Sequence, residues 1–138
     1  MPLPIEGGCQ CGAVRYAITG HPRKIYVCHC LECRGQSASA FGISVLVDQR
    51  DFQIKSGELR RWGRPIDGKG QLYGFFCPAC GSRIYHQSSN EPSILSVKGG
   101  SLDQPPDLTN VPHIWTSRAL SGIPLPPIDR CYTYNFTD

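Results

Sequence analysis

Short apolar runs separated by glycines and prolines dominate the chain. Residues 13–19 (AVRYAIT) alternate in polarity after glycine-rich turns, and residues 41–47 (FGISVLV) form the β-branched run of a buried strand. Residues 52–57 (FQIKSG) follow as the predicted hairpin partner of that second strand. Further strands are predicted at residues 58–62, 71–77, 82–87, 93–100 and 113–117. The pattern predicts a single, mostly antiparallel β domain over residues 1–138.

Little of the chain has helical character. The stretch HCLECRGQSAS predicts a short helix that begins near Cys30 and ends at Gly35 or a few residues later. Residues 63–70 (GRPIDGKG) and 101–112 are rich in turn formers and predict loops. The fold class is therefore mostly β, with one or two short helices.

Composition narrows the expected partners and compartment. The formal net charge is only +3, and this small excess is scattered along the sequence, so we expect no nucleic-acid partner. No apolar run approaches the roughly 20 residues that cross a bilayer, so no membrane partner is expected. The N-terminus lacks a basic start followed by an apolar stretch, which predicts a cytoplasmic protein with reduced thiols. The eight cysteines are therefore interpreted as metal ligands before disulfides.

The segment CPACG offers the strongest local metal signal. Cys77 and Cys80 have the spacing of two thiolates on one tetrahedral zinc ion. Pro78 sets the turn, and Gly81 can adopt the positive φ that lets the backbone wrap the ion. This turn supplies only two ligands, so the remaining ones must come from elsewhere in the chain.

Cys9 and Cys11, in GGCQCG, are the predicted partners of that turn. Residues i and i+2 of a strand point to one face, so both thiolates can reach one ion. We interpret Cys9, Cys11, Cys77 and Cys80 as a closed structural zinc site that contributes folding energy. A disulfide or metal-free core cysteines are the alternatives, and spacing also allows the CPACG turn to join two thiols of the middle cluster.

The middle cluster, CHCLEC, contains only three cysteines. Cys28, Cys30 and Cys33 can hold a zinc ion and leave a fourth position for water or substrate, which is the pattern of catalytic zinc. Cys131, His29 or His113 could instead fill that position and make the site structural. A lone cysteine is more often a small buried residue, and His29 lies between two ligands, which hinders its ring.

The order of these motifs resembles the glutathione-dependent formaldehyde-activating enzyme family, also called the centromere protein V family. The resemblance rests on two CxC motifs, FFCPACGSRIY and PHIWTSR, between Gly8 and about Ser117. It implies an Mss-four-like fold of coiled antiparallel β-sheets. It also implies that Cys9, Cys11, Cys77 and Cys80 hold a structural zinc, and that Cys28, Cys30 and Cys33 hold a catalytic one.

The implied activity is that of a carbon–sulfur lyase. A zinc-bound thiol, glutathione or a similar molecule, would add to formaldehyde or another aldehyde, or the reverse reaction would occur. His29, Glu32 and His113 are candidates for moving the proton. The candidates for binding carboxylates are Arg34, Arg60, Arg61, Arg64 and Arg118. The alternatives are a non-catalytic zinc module that binds a partner and a thiol oxidoreductase of the methionine sulfoxide reductase type, in which Cys131 would react.

Overall fold

The computed structural model describes residues 1–136, which form ten strands and one α-helix. The elements in chain order are β1 (Ile5–Gly8), β2 (Arg15–Ile18), β3 (Lys24–Cys28), α1 (Leu31–Ser37), β4 (Gly42–Asp48), β5 (Phe52–Ser56), β6 (Arg60–Pro65), β7 (Gln71–Phe76), β8 (Arg83–Ser88), β9 (Ile94–Lys98) and β10 (His113–Ile114). The predicted mostly β fold class is confirmed. No helix among these residues is both long and apolar enough to cross a membrane.

Two compact units make up the chain. The first consists of residues 1–24 and 45–106, and the second of residues 25–44 and the chain from residue 107 onward. Each unit holds one of the two thiol clusters. The prediction of one domain over residues 1–138 stays a prediction.

The first unit contains a three-stranded sheet, ordered β1-β2-β5, and an antiparallel run of strands, ordered β9-β8-β7-β6. Aromatic rings connect the two layers. The ring of Phe52 lies 5.1 Å from those of Tyr16 and Tyr85, and Tyr85 stacks on Phe75 at 4.4 Å. The Phe75 and Tyr85 face of β7 and β8 therefore packs toward the three-stranded sheet.

The predicted hairpin between residues 41–47 and 52–57 is wrong. β5 instead pairs with β2, with Phe52 opposite Ile18 and Ile54 opposite Tyr16. A 3-10 turn at Gln49–Asp51 redirects the chain, and the Thr19 amide donates to the carbonyl of Asp51, the last residue of this turn. The sequence pattern predicted both strands. Packing of the Phe52 ring against Tyr16 favours the pairing of β5 with β2.

The second unit contains β3, α1, the beginning of β4 and β10. β10 runs parallel to β3, with His113 opposite Val27 and Ile114 opposite Cys28. The C-terminal segment returns along β10, because the Tyr132 amide donates to the His113 carbonyl. Sequence analysis placed a strand at residues 113–117 but missed β3, which leads directly into the CHCLEC cluster.

Candidate metal centres

The first thiol cluster lies in the first unit and unites four cysteines from two turns. Its members are Cys9, Cys11, Cys77 and Cys80, whose sulfur atoms all lie within 4.8 Å of one another. The Cys9 and Cys11 sulfurs are 3.6 Å apart, and those of Cys11 and Cys77 are 3.8 Å apart. Four thiolates on a tetrahedral zinc, at Zn–S distances of about 2.3 Å, would be about 3.8 Å apart. The donor set therefore fits zinc.

Two turns hold these sulfurs. β1 ends at Gly8, so Cys9 and Cys11 lie in the turn that follows it, where the Gly12 amide donates to the Cys9 carbonyl. The prediction that Cys9 and Cys11 lie at positions i and i+2 of a strand is therefore wrong. In the CPACG turn, the Gly81 amide donates to the Cys77 carbonyl at 2.8 Å, and Gly81 has φ +81°. The positive φ predicted at that glycine is present.

Ser82 is a residue of this cluster that the sequence analysis missed. Its hydroxyl lies 3.2 Å from the Cys80 sulfur and accepts from the Gln10 amide at 2.9 Å. Hydrogen bonding from Ser82, first through its side chain, lowers the pKa of Cys80 to about 5. Ser82 thus joins the two turns and favours a thiolate, and its position directly after CPACG was the available signal.

The second thiol cluster lies in the second unit and is formed by consecutive elements. It contains Cys28 at the end of β3, Cys30 at the N-cap of α1, and Cys33 in the first turn of α1. Their sulfurs lie within 4.8 Å of one another. The Cys30 sulfur accepts a hydrogen bond from the Cys33 amide at 3.3 Å. The strand–helix junction therefore presents all three sulfurs to one point.

The three thiols share their protons unequally. Hydrogen bonding with Cys30 and then Cys33 raises the pKa of Cys28 far above its usual range, and burial adds to this. Hydrogen bonding from Cys28, and then from Cys33, lowers the pKa of Cys30 to about 2. The cluster therefore carries a thiolate at the N-cap of α1 at neutral pH, which is the protonation state that a metal cation binds.

None of the three alternative fourth ligands, Cys131, His29 and His113, belongs to this cluster. The group of donor atoms within 4.8 Å, searched over residues 1–136, includes only the three cysteines. Cys131 instead lies opposite His113 and directs its sulfur to the Pro126 carbonyl at 3.4 Å. All eight cysteines are free thiols.

The two histidines form a pair. His29 is completely buried, and its Nε2 lies 2.8 Å from Nδ1 of His113, with the rings stacked at 5.1 Å. The Nδ1 atom of His29 is buried without a hydrogen-bond partner. Burial lowers the pKa of His29, and the nearby His113 lowers it further; burial also lowers the pKa of His113. Both rings are therefore neutral at pH 7.

Two further residues frame the cluster. A Cβ atom at Gly42 would lie 3.3 Å from Cβ of Cys33 and 3.6 Å from its sulfur, so the missing side chain leaves Cys33 its space. The half-buried Arg34, next to Cys33, donates from Nη1 to the Arg118 carbonyl at 2.9 Å. The sequence analysis did not recognise Gly42, because this residue lies within the apolar run of β4. Glu32, a candidate for moving the proton, is exposed on α1.

The fold and the two clusters define a thiol-rich β protein with two candidate metal centres, and comparisons place it in a family. The sequence model of the glutathione-dependent formaldehyde-activating enzyme family matches residues 4–118. The chain belongs to this family. The residues after 118, including Cys131, lie outside the match.

Individual relatives agree with this assignment. A Halomonas elongata protein with the provisional name glutathione-dependent formaldehyde-activating enzyme is 26% identical over 115 residues, which cover 79% of this chain and 71% of that protein. A crystal structure of a Rhodobacter sphaeroides protein is similar with a TM-score of 0.61 at 24% identity. The similarity covers 78% of this chain and 98% of that one, and it shows the shared fold.

Proposed function

We propose that the chain is a zinc-dependent carbon–sulfur lyase of the formaldehyde-activating type. Its substrates would be a small thiol, glutathione or a similar molecule, and formaldehyde or another aldehyde. The main support is the cluster of Cys28, Cys30 and Cys33, which gathers three sulfurs and draws no fourth donor from the described residues. Membership of the family supports the substrate class.

The two clusters would have different roles, one structural and one catalytic. We propose that Cys9, Cys11, Cys77 and Cys80 hold a structural zinc, because four thiolates complete a tetrahedral shell. We propose that Cys28, Cys30 and Cys33 hold a second zinc and leave one position for the substrate thiol. A zinc ion bound there would stabilise that thiol as a thiolate, whose pKa otherwise starts near about 8.5.

The protein's own residues would set the geometry of this reaction. β3 and α1 hold the three sulfurs, and Gly42 leaves the space beside Cys33. In the addition, the thiol sulfur bonds to the aldehyde carbon, while the carbonyl oxygen gains a proton in place of the one the thiol lost. Arg34 lies beside the cluster with a charge that suits a substrate carboxylate. Because both clusters need reduced thiols, we propose the cytoplasm as the compartment.

Substitution of one cysteine tests the proposal. We expect Cys33→Ser to lower the rate of glutathione-dependent formaldehyde consumption by at least about a hundredfold. The thermal unfolding temperature should change little, because the three sulfurs bridge only neighbouring elements. Zinc content should fall from two ions to one per chain.

A non-catalytic module gives a different result. It would bind zinc at the second cluster without any change on addition of glutathione, and the parent protein, like Cys33→Ser, would consume formaldehyde only at the background rate of the buffer. X-ray absorption of the zinc-loaded protein with and without glutathione separates the two cases. An added sulfur neighbour at one of the two ions supports the enzyme, and identical spectra contradict it.

A further inference from the structure

The strands β6 to β9 concentrate positive charge. Their sequences, RRWGRP, QLYGFF, RIYHQS and ILSVK, contain five arginines and lysines and no aspartate or glutamate. The chain as a whole has a net charge of only +3, so the remainder carries more acidic than basic residues. The arginines and lysines, which are scattered along the sequence, thus give a local excess of positive charge on four adjacent strands.

One row of residues crosses these strands on a single face. Trp62 lies opposite Gly74, Gly74 opposite His86, and His86 opposite Ser96. Because directly opposite residues share a face, all four side-chain positions lie together. Phe75 and Tyr85 alternate with this row and pack toward Phe52, so the row lies on the face that points away from the three-stranded sheet.

Arg83 lies across the centre of this row. A Cβ atom at Gly74 would come within 2.2 Å of Nη1 of Arg83, so the guanidinium occupies the space above this glycine. The same nitrogen is 2.9 Å from Nε2 of His86. A guanidinium only donates hydrogen bonds, so His86 accepts at Nε2 and its ring is neutral. Arg83 is held in place by a group that does not neutralise it.

The charge of Arg83 is unbalanced. The ion pairs found among residues 1–136 involve Arg15, Arg23 and Arg50, and none involves Arg83. Burial lowers the pKa of Arg83, and no acidic group offsets this. A half-buried cation without a counter-charge is costly, and an anionic ligand would remove that cost.

Other groups on the face complement an anion that carries a flat ring. The Ser96 hydroxyl is buried without a hydrogen-bond partner. Trp62 is 54% exposed, which offers an apolar surface for stacking. Arg60 and Arg64 lie two residues before and after Trp62 on the same side of β6, about 7 Å from it along the strand.

We propose that this face binds a small organic phosphate with a flat ring, of the nucleotide class. Its phosphate would accept hydrogen bonds from Arg83, and its ring would stack on Trp62. A phosphate suits the site better than a carboxylate because it supplies up to two negative charges and three acceptor oxygens, which match the guanidinium of Arg83 and the positive charge of the arginines on β6.

Calorimetric titration of the zinc-loaded full chain with adenosine monophosphate tests this proposal. We expect Arg83→Gln to weaken binding by about tenfold, as loss of a charge-assisted hydrogen bond does. Gly74→Ala retains every charge but places a methyl group where the guanidinium lies, so it should weaken binding in the same direction. Because the guanidinium is the end of a flexible chain, this variant should still fold.

Arg61→Gln is the matched control. Arg61 is on the same strand as Trp62, but its guanidinium lies over the Tyr73 ring, on the other face. The Arg61→Gln variant removes the same charge as Arg83→Gln but from the other face. Binding of the monophosphate should therefore change less than about twofold. Amide shifts at Gly74 and His86 in nuclear magnetic resonance spectra should locate the ligand.

Each remaining comparison can overturn the proposal. Equal weakening by Arg61→Gln would reduce the effect to overall charge. Adenosine that binds as tightly as the monophosphate would remove the role of the phosphate, and benzoate that binds as tightly would assign the face to carboxylates. Binding of a short oligothymidylate without measurable binding of the monophosphate would make the partner single-stranded nucleic acid.

Discussion

The two thiol clusters differ in how far apart their cysteines lie in the sequence. The four-thiol cluster joins turns that are far apart in the sequence, because Cys11 and Cys77 are 66 positions apart. The three-thiol cluster of Cys28, Cys30 and Cys33 spans only six positions at one strand–helix junction. Closing a long loop removes much more chain entropy than closing a short one. We therefore infer that a metal in the first cluster would support the fold, and we propose that one in the second would serve the reaction.

The largest expected effect comes from Cys77→Ser. Cys77 is fully buried, and its removal leaves the long loop without one of four ligands. Because zinc binding at such a site is folding free energy, we expect a loss of more than about 4 kcal/mol or a failure to fold. Chemical denaturation monitored by circular dichroism measures it, with Cys33→Ser as the control. A Cys77→Ser variant of normal stability would refute the structural role.

Graded removal of metal should separate the two clusters next. A three-thiolate site holds zinc with fewer protein ligands, so a chelator should empty it first. We expect activity to disappear when about one zinc per chain has been released, while circular dichroism still shows the native fold. The fold should be lost only with the second ion. Simultaneous loss of activity and fold would show that the clusters do not differ as we infer.

A smaller change at the three-thiol cluster is expected from Gly42→Ala. The new methyl group would lie 3.3 Å from Cβ of Cys33, so the cysteine must shift by a few tenths of an ångström. We expect activity to fall about tenfold, because small displacements at a reacting centre are costly, with little loss of stability.

Gly35→Ala in α1 is the matched control, because nothing lies within 4 Å of the added group. It should leave activity unchanged and stabilise the helix by about 0.5–1 kcal/mol. Equal losses of activity in the two variants would indicate a general effect of alanine in this unit, not crowding of Cys33.

The smallest effect is expected from Cys131→Ser. The Cys131 sulfur is outside both clusters and makes a weak contact with the Pro126 carbonyl. We expect unchanged formaldehyde consumption and a stability within about 1 kcal/mol of the parent. Loss of activity with both zinc ions retained would instead favour the oxidoreductase alternative, in which this cysteine reacts.

Much of this architecture was predictable because its signals are local. The strands β2, β4 and β7 to β9 follow from alternation or apolar runs, and α1 begins beside Cys30 as expected. The positive φ of Gly81 was predicted because a glycine at the end of the CPACG turn lets the backbone wrap an ion. Other strand predictions failed. The strand β3 was not recognised, and β5 was assigned to β4 although it pairs with β2.

Sequence alone determined which thiols are neighbours within each motif, because a spacing of two or three residues limits where a sulfur can point. Tertiary structure decided how distant parts combine. It joined Cys9 and Cys11 to the CPACG turn, excluded Cys131 from the three-thiol group, and placed Arg83 above Gly74. These outcomes depend on strand pairing and ring packing between residues far apart in the chain, and no local spacing encodes such contacts.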